Sequence, residues 1–297
     1  MRAVAGPGRL VSARWVWGLS GLVTAVALAI PGARLITSPG TDGDNVYAHP
    51  QHVVTRTETV PQPVTSLVVQ SYGGQVQVTS ARVDRVHVTE TLSYDQGTSP
   101  PVVTRSVSGG RLSLSDPTCT HADCNVDFDV TVPADVTVTV STGGGQVVVS
   151  GIAGANLASS GGQAQATLIR GPLTVNTGGG PLAVRGVSGP LRAETDGGTL
   201  IAQDIAAATA TITTGGGPAM VTFTAAPEKV LVSTDGGPAT LAVPGGPYNL
   251  TASSEGGPQS VRIATDPAAL PSITITSGGG PLRIEPAPRL WRPGLSA

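Results

Sequence analysis

Apolar and polar residues alternate with a period of two through most of the chain. The pattern is clearest around eight Gly-Gly pairs, which follow one another at steps of 17 to 23 residues. The residues six and four positions before each pair are apolar, and the residue between them is polar in seven cases of eight. The fifth residue after the first glycine is again apolar. Such alternation predicts strands with one buried face. Each unit is therefore predicted to be a strand, a Gly-Gly turn, a second strand and a second turn.

The glycine pairs are expected to form the corners between strands, because a corner needs glycine where φ is positive or where a Cβ has no space. The residue two positions before every pair is Ser or Thr. We expect these hydroxyls to bond turn amides or neighbouring units, and a ligand-binding ladder is the alternative. The predicted turn glycines are Gly144, Gly145, Gly161, Gly162, Gly179, Gly180, Gly197, Gly198, Gly216, Gly217, Gly236, Gly237, Gly256, Gly257, Gly279 and Gly280.

A unit of this length cannot bury its apolar face alone, whereas stacked units can. The predicted fold class is all-β, a β-solenoid of about 18–20-residue coils with two short strands per coil, preceded by one transmembrane helix. Regular coils are predicted for residues 136–286, and larger first coils with a disulfide loop for residues 64–135. The pair Gly109-Gly110 fits the columns less well, since it would turn Arg105 inward. With 40 glycines and 25 prolines, the composition excludes a helical bundle.

The first 36 residues predict the compartment. Residues 15–30 carry no charge and follow Arg2, Arg9 and Arg14. We expect residues 1–14 to be cytoplasmic, residues 15–36 to be a single transmembrane anchor, and the C-terminal domain to be extracellular. A cleaved signal peptide is the alternative. Residues 37–63, rich in Pro and polar residues, are predicted to be a stalk, and residues 287–297 a tail.

The two cysteines agree with an oxidising compartment. Cys119 and Cys124 lie close together in a polar segment, and this spacing predicts a local disulfide. A metal site is disfavoured here because only His121 lies nearby. His49 and His52 fall in the predicted stalk and are expected to be solvated.

Charge and motifs argue against several functions. The net charge of −2, without a basic run, disfavours nucleic acid as a partner. The usual hydrolase, phosphate-binding and metalloprotease motifs are missing from the sequence, so we expect no catalysis and no cofactor. Asp196, Asp235 and Glu255 directly precede their glycine pairs. They are expected to be solvated turn residues rather than calcium ligands.

Outward hydroxyl residues recur on the strand before each turn, for example Thr211 and Thr213. Such motifs are also typical of ice-binding solenoids. Arg192, Glu194 and Leu231 interrupt the pattern, which disfavours an ice-binding face.

The sequence also resembles a known family. Residues 130–133 (VTVP), followed by residues 135–138 (DVTV), and the successive Ser/Thr-x-Gly-Gly turns behind an N-terminal anchor are similar to the bacterial putative-adhesin family of β-strand-repeat proteins, of the actinobacterial type. The resemblance covers roughly residues 65–285. It implies a surface-exposed β-solenoid and supplies no catalytic residues.

These observations predict a non-enzymatic, membrane-anchored protein of the cell surface or envelope that serves adhesion or interaction. Its expected partners are the membrane, through the N-terminal helix, and either a cell-wall polymer or another envelope protein. Two alternatives stay open. One is a sensory or regulatory ectodomain of an envelope signalling system, and the other is a carbohydrate-active β-solenoid enzyme.

Overall fold

The computed structural model describes residues 51–119 and 124–288, which belong to one compact unit. Every regular element in these residues is a strand, and the 23 strands form one 12-stranded and one 11-stranded sheet. The prediction of an all-β fold is confirmed. Among the described residues there is no helix that could span a bilayer. The predicted cytoplasmic segment and anchor, residues 1–36, lie outside them.

The strands follow one another at short intervals along the chain. They are β1 (Gln51–Thr59), β2 (Ser66–Ser71), β3 (Val76–Ala81), β4 (His87–Asp95), β5 (Thr104–Ser108), β6 (Arg111–Ser115), β7 (Cys124–Pro133), β8 (Thr137–Thr142), β9 (Val147–Ser150), β10 (Gly154–Ser159), β11 (Ala164–Ile169), β12 (Leu173–Thr177), β13 (Leu182–Val187), β14 (Leu191–Thr195), β15 (Leu200–Ile205), β16 (Thr209–Thr214), β17 (Ala219–Phe223), β18 (Lys229–Thr234), β19 (Ala239–Val243), β20 (Asn249–Ser254), β21 (Gln259–Val261), β22 (Ser272–Ser277) and β23 (Leu282–Pro286).

From β8 to β19, consecutive strands alternate between the two sheets. Each strand from β10 to β19 pairs in parallel with the strand two before it, as β10 does with β8 and β12 with β10. We call the two strands joined by one glycine turn a layer. Within this part of the chain, each layer lies directly on the layer that precedes it in sequence.

The apolar columns of the sequence stack in register and form the core between the sheets. Leu157 pairs with Val140 on one side and with Val175 on the other. Val140, Val175, Ile212 and Ile275 are at most 1% exposed. Most core residues are aliphatic, and each fully buried Val, Leu or Ile side chain contributes about 1.5–3 kcal/mol. Small aliphatic side chains let the two sheets pack closely, which agrees with the scarcity of aromatic residues.

The spatial order departs from the chain order at both ends. In the first half, β2 and β3 lie inside the stack, with β6 and β7 placed beyond them. At the other end, β22 and β23 pair with β18 and β19, and the earlier strands β20 and β21 are outermost. The predicted units do stack, but the last two layers do not follow the order of the chain.

The residue before each glycine pair explains this exchange. In spatial order these residues alternate between glycine and another residue. A Cβ on Gly278 would lie 2.0 Å from the carbonyl oxygen of Asp235. Chain order would place Glu255 above Asp235, where its side chain would meet that oxygen. The observed order is Tyr72, Gly143, Ser160, Gly178, Asp196, Gly215, Asp235, Gly278 and Glu255.

The first strand corrects the boundary of the predicted stalk. Residues 51–59, expected to be a spacer, form β1, which pairs antiparallel with β4 along its whole length. The polar side chains of β1 suit an edge strand, because charge and polarity discourage pairing with other chains. The predicted disulfide is confirmed: Cys119 and Cys124 are bonded, with their Cα atoms 5.3 Å apart. His49 and His121 lie outside the described residues.

Candidate functional site

The two members of each glycine pair lie in different surroundings. A Cβ on Gly162 would lie 2.1 Å from the carbonyl oxygen of Gly145 in the neighbouring layer, and a Cβ on Gly180 would lie equally close to that of Gly162. The first members, such as Gly161 and Gly179, have open space around the Cβ position and no left-handed φ. The requirement for glycine therefore rests on the second member of each pair, where backbones of adjacent layers approach one another. The other second members share these surroundings: Gly145, Gly198, Gly217, Gly237, Gly257 and Gly280.

The hydroxyl column lies at the same corners and is bonded to these glycines. The Thr195 hydroxyl accepts a hydrogen bond from Gly198 N at 3.0 Å and donates one to Gly180 O at 3.2 Å. In other layers the hydroxyl donates to the glycine of its own turn, as Thr214 does to Gly217 O at 2.6 Å. Seven of the eight residues are at most 4% exposed. The column is thus a structural cap for the turns, since it satisfies buried backbone groups.

Removing one of these hydroxyls has a defined expected cost. Thr195→Val should lower the free energy of unfolding by about 1–3 kcal/mol, because the buried Gly198 N–H would lose its partner. Thr195→Ser keeps the hydroxyl and serves as the matched control, with a smaller loss. Urea denaturation of the two variants measures the difference. Equal stabilities of the Val and Ser variants would contradict the capping role.

The acidic residues beside the turns do not form a cluster. Asp196, Asp235 and Glu255 occupy every second layer, with Gly215 and Gly278 in the layers between them. Two layers separate neighbouring carboxylates by about 9.5 Å along the stack, whereas calcium ligands lie at about 2.3–2.6 Å from a shared ion. In the described part of the chain, there is no group of three His, Cys, Asp or Glu residues that could hold a metal.

The two described histidines lie on the N-terminal strands. His87 Nδ1 lies 2.9 Å from the Thr59 hydroxyl across the β1–β4 pair. The His52 ring stacks on Tyr94 with 5.5 Å between ring centroids. Both contacts are part of the edge of the 12-stranded sheet.

A charge cluster around one buried carboxylate lies at the N-terminal end of the core. Arg105 bonds Glu90 at 2.6 Å and also forms an ion pair with Glu58. The Glu90 side chain is only 1% exposed, and burial raises its pKa above the ordinary value, with the charge of Arg56 opposing that rise. The pattern of alternating residues predicts an inward Arg105 but does not identify its partner. Glu90 alternates with Val88 and Leu92, so its inward position could have been recognised.

Asp116 ends the hydroxyl column. It follows the last residue of β6 and lies beside Ser71, the hydroxyl residue of the β2–β3 layer. Its carboxylate accepts hydrogen bonds from the Ser71 hydroxyl at 3.1 Å and from Tyr72 N at 3.0 Å. Burial raises the pKa of Asp116, and these two bonds oppose the rise. Asp116, which follows β6, thus caps the turn between β2 and β3. It lies three residues before Cys119 of the disulfide.

The outer face of the 11-stranded sheet carries two straight rows of polar side chains. Ten of the sixteen positions on β8, β10, β12, β14, β16, β18, β22 and β20 are Ser or Thr, and two are Asn. We call this surface the hydroxyl face. In spatial order the rows are Thr139, Asn156, Thr174, Arg192, Thr211, Leu231, Thr274, Thr251 and Ser141, Ala158, Asn176, Glu194, Thr213, Ser233, Thr276, Ser253.

The hydroxyl face is nearly neutral. Its eight strands at about 4.8 Å spacing extend over roughly 34 Å. Arg192 and Glu194 on β14 form an ion pair with each other, and the only internal bond between neighbouring hydroxyls recorded on the face joins Thr276 to Ser233 at 3.2 Å. Most of its hydroxyls therefore have free capacity for an external ligand that both donates and accepts hydrogen bonds, whereas the Asn176 amide donates to Glu194 Oε2 at 3.0 Å.

The outer face of the 12-stranded sheet is more apolar toward its C-terminal end. Ala183, Ile201 and Met220 occupy adjacent positions on β13, β15 and β17. This row leads into a cleft of about 570 Å³ over β17, β19, β23 and β21. The two outer faces thus differ in the chemistry that they offer.

No family model and no curated protein matches this chain. Its structure is similar to that of a "putative adhesin" from Parabacteroides distasonis, with 14% identity and a TM-score of 0.49, over 78% of this chain and 97% of that one. A "putative adhesin" from Bacteroides fragilis has 13% identity and a TM-score of 0.43, over 79% and 97%.

A third solved structure is a "putative cell adhesion protein" from Clostridium sporogenes. It has 12% identity and a TM-score of 0.29, over 79% of this chain and 99% of that one. All three carry adhesin names, and none of the three comes from an actinobacterium, so the actinobacterial type of the resemblance has no support from them.

Proposed function

We propose that this chain is a non-enzymatic, membrane-anchored β-solenoid of the cell surface or envelope, and that it binds a neutral cell-wall polysaccharide through the hydroxyl face. The observation that carries the proposal is the pair of in-register Ser/Thr rows on one face of the sheet. The parallel, in-register layers from β8 to β19 support the solenoid. The anchor rests on the uncharged segment of residues 15–30 behind three arginines.

The chemistry of the face suits a polymer of sugars. Serine and threonine hydroxyls both donate and accept hydrogen bonds, as sugar hydroxyls do. Each such bond contributes about 0.5–1.5 kcal/mol net, so one contact is weak. A polymer that lies along eight strands makes many contacts at once, and the contacts after the first are intramolecular. A repetitive face therefore favours a repetitive ligand.

Binding rather than hydrolysis fits the charges on this face. Glycoside hydrolysis commonly needs two carboxyl groups that flank one bond. The rows of the hydroxyl face contain a single carboxylate, Glu194, and it pairs with Arg192. We therefore assign the face a binding role without a chemical step.

The proposal predicts the effect of a triple substitution. T213A/S233A/T276A removes three adjacent hydroxyls from the face. Loss of three hydrogen bonds at about 0.5–1.5 kcal/mol each exceeds 1.4 kcal/mol, which is a factor of ten in affinity. The affinity of the variant for purified wall polysaccharide should therefore fall at least tenfold. T79A/S150A/T167A removes the same residue types from three adjacent positions on the outer face of the other sheet and is the matched control. Co-sedimentation of the full chain in detergent with the polymer measures both affinities.

Two results would contradict this function. Equal affinities of the two triple variants would show that the hydroxyl face is not the binding surface. If the wild-type protein does not bind wall polymer but binds one specific membrane protein, that result would favour the sensory or regulatory ectodomain instead.

A further inference from the structure

The cleft on the 12-stranded sheet is an apolar surface at the end of an apolar row. Met220, which is 48% exposed, lies at the point where the row of Ala183 and Ile201 enters the cleft. Pro238 and Pro281, each directly after a glycine pair, form one side. An exposed apolar surface with this shape is typical of an interaction site.

The floor of the cleft is already partly covered. Ala242 alternates with the inward residues Leu241 and Val243 and therefore belongs to the outer face of β19, yet it is only 5% exposed. Pro288, the last described residue, lines the same cleft. Atoms near the end of the described chain thus lie beside this floor.

The backbone leads directly into the cleft. Beyond β23, Ala287 N donates a hydrogen bond to Val243 O at 2.9 Å, so the chain follows β19 to its end before it reaches Pro288. The next nine residues, 289–297, include Leu290, Trp291 and Leu295. An extended segment of this length reaches roughly 30 Å. Trp291 is three residues beyond Pro288, so its Cα can lie up to roughly 10 Å from that residue of the cleft lining.

We propose that the segment of residues 289–297 binds in this cleft, with Trp291 packed against Met220. A tryptophan supplies a large apolar surface, and the methionine sulfur makes favourable contacts with aromatic rings. Because the segment is tethered beside the cleft, its effective concentration there is high and the contact needs no second molecule.

The cleft lining carries one charge of each sign. Glu285 and Arg283 both line it, and their charged atoms lie 3.9 Å apart. Arg289 and Arg292 flank Leu290 and Trp291 in the sequence. The segment therefore matches the cleft mainly through its apolar side chains, Leu290 and Trp291.

Tryptophan fluorescence tests the proposal directly. The sequence contains only Trp15, Trp17 and Trp291, so the full chain with W15F/W17F in detergent reports Trp291 alone. We expect a blue-shifted emission and at least threefold weaker acrylamide quenching than in the same chain with Met220→Glu. Val148→Glu places the same charge on the same outer face away from the cleft and should leave the emission unchanged. Equal quenching in all three proteins, at the level of a free tryptophan amide, would overturn the proposal.

Cross-linking gives a second readout that does not depend on the fold of the Glu variant. In M220C/W291C, oxidation should join the two introduced cysteines within one chain, whereas V148C/W291C should remain unlinked. Proteolysis and mass spectrometry identify the linked peptides beside the native Cys119–Cys124 bond. Links between chains that appear only at high protein concentration would identify a second copy as the occupant and overturn the intrachain contact, as would the absence of any link.

Discussion

Gly180→Ala is expected to lower the free energy of unfolding by about 3 kcal/mol or more, while Gly179→Ala leaves it unchanged or raises it by up to about 1 kcal/mol. The Cβ at position 180 would lie 2.1 Å from the carbonyl oxygen of Gly162 and 2.5 Å from its carbonyl carbon. These atoms belong to the backbone of the neighbouring layer, so they can move only if the ladder between layers is disturbed. The Cβ at position 179 meets nothing within 4 Å.

The two variants are matched, because they differ by one position in the same turn. Chemical denaturation of each protein, with circular dichroism as the probe, measures the difference. Equal stabilities would show that the close approach between layers does not determine which glycine is required. Gly161→Ala and Gly162→Ala repeat the comparison one layer away, with the same expected order.

Arg105→Met is expected to lower the free energy of unfolding at pH 7 by about 3–5 kcal/mol, because it removes the partner of a buried carboxylate. Glu90 is 1% exposed and bonds Arg105 at 2.6 Å. The other charges near Glu90 are Arg56 and Glu58 on β1, and Phe128 on β7 faces it without a charge. Denaturation of the variant and the wild type at pH 7 measures the loss.

The same variant should recover stability on acidification. Burial already raises the pKa of Glu90 above 4.5 in the folded wild type, and loss of Arg105 should raise it further. The folded variant then holds this proton more tightly than the unfolded chain. Its stability relative to wild type should therefore increase as the pH falls through the folded-state pKa toward 4.5, and level off below that value. The pKa of Asp116 is also raised. Because Asp116 is present in both proteins, its contribution to the pH dependence cancels in the difference from wild type.

A double variant provides the control for the charge. R105M/E90L removes the ion pair and fills the site with apolar atoms, which is often neutral or stabilising for a buried pair. It should be more stable than R105M at pH 7 and should lack the recovery at low pH. If R105M and R105M/E90L lose the same stability at every pH, the cost of R105M is loss of packing rather than an unpaired Glu90.

Residues that repeat along the chain were predictable. The apolar columns through Val140, Val175 and Ile212 require one buried face, and a unit too short to bury it must stack. The hydroxyl before each glycine pair follows from the need to satisfy buried amides at a tight corner. The disulfide between Cys119 and Cys124 follows from their short separation in a polar segment. Each of these features depends on one unit and its immediate neighbours.

The cleft and the hydroxyl face could be foreseen only in part. The outward Ser and Thr residues follow from strand parity, so the sequence indicated both rows. Their order along the surface did not follow, because Thr274 and Thr251 exchange places with their layers. The cleft combines residues of β17, β19, β21 and β23 with Pro288, and no local pattern brings these elements together.

The sequence by itself determined the strand content, the inward and outward residues, the positions of the turns and the disulfide, because these depend on periodicity and on local spacing. Only the tertiary structure decided that the last two layers exchange order, that β1 joins the sheet, and that Arg105 meets Glu90. Quasi-equivalent layers offer nearly equal apolar surfaces to one another, so hydrophobicity does not distinguish their order. The deciding contact is a steric one between a backbone oxygen, such as that of Asp235, and the glycine of the layer above it, Gly278.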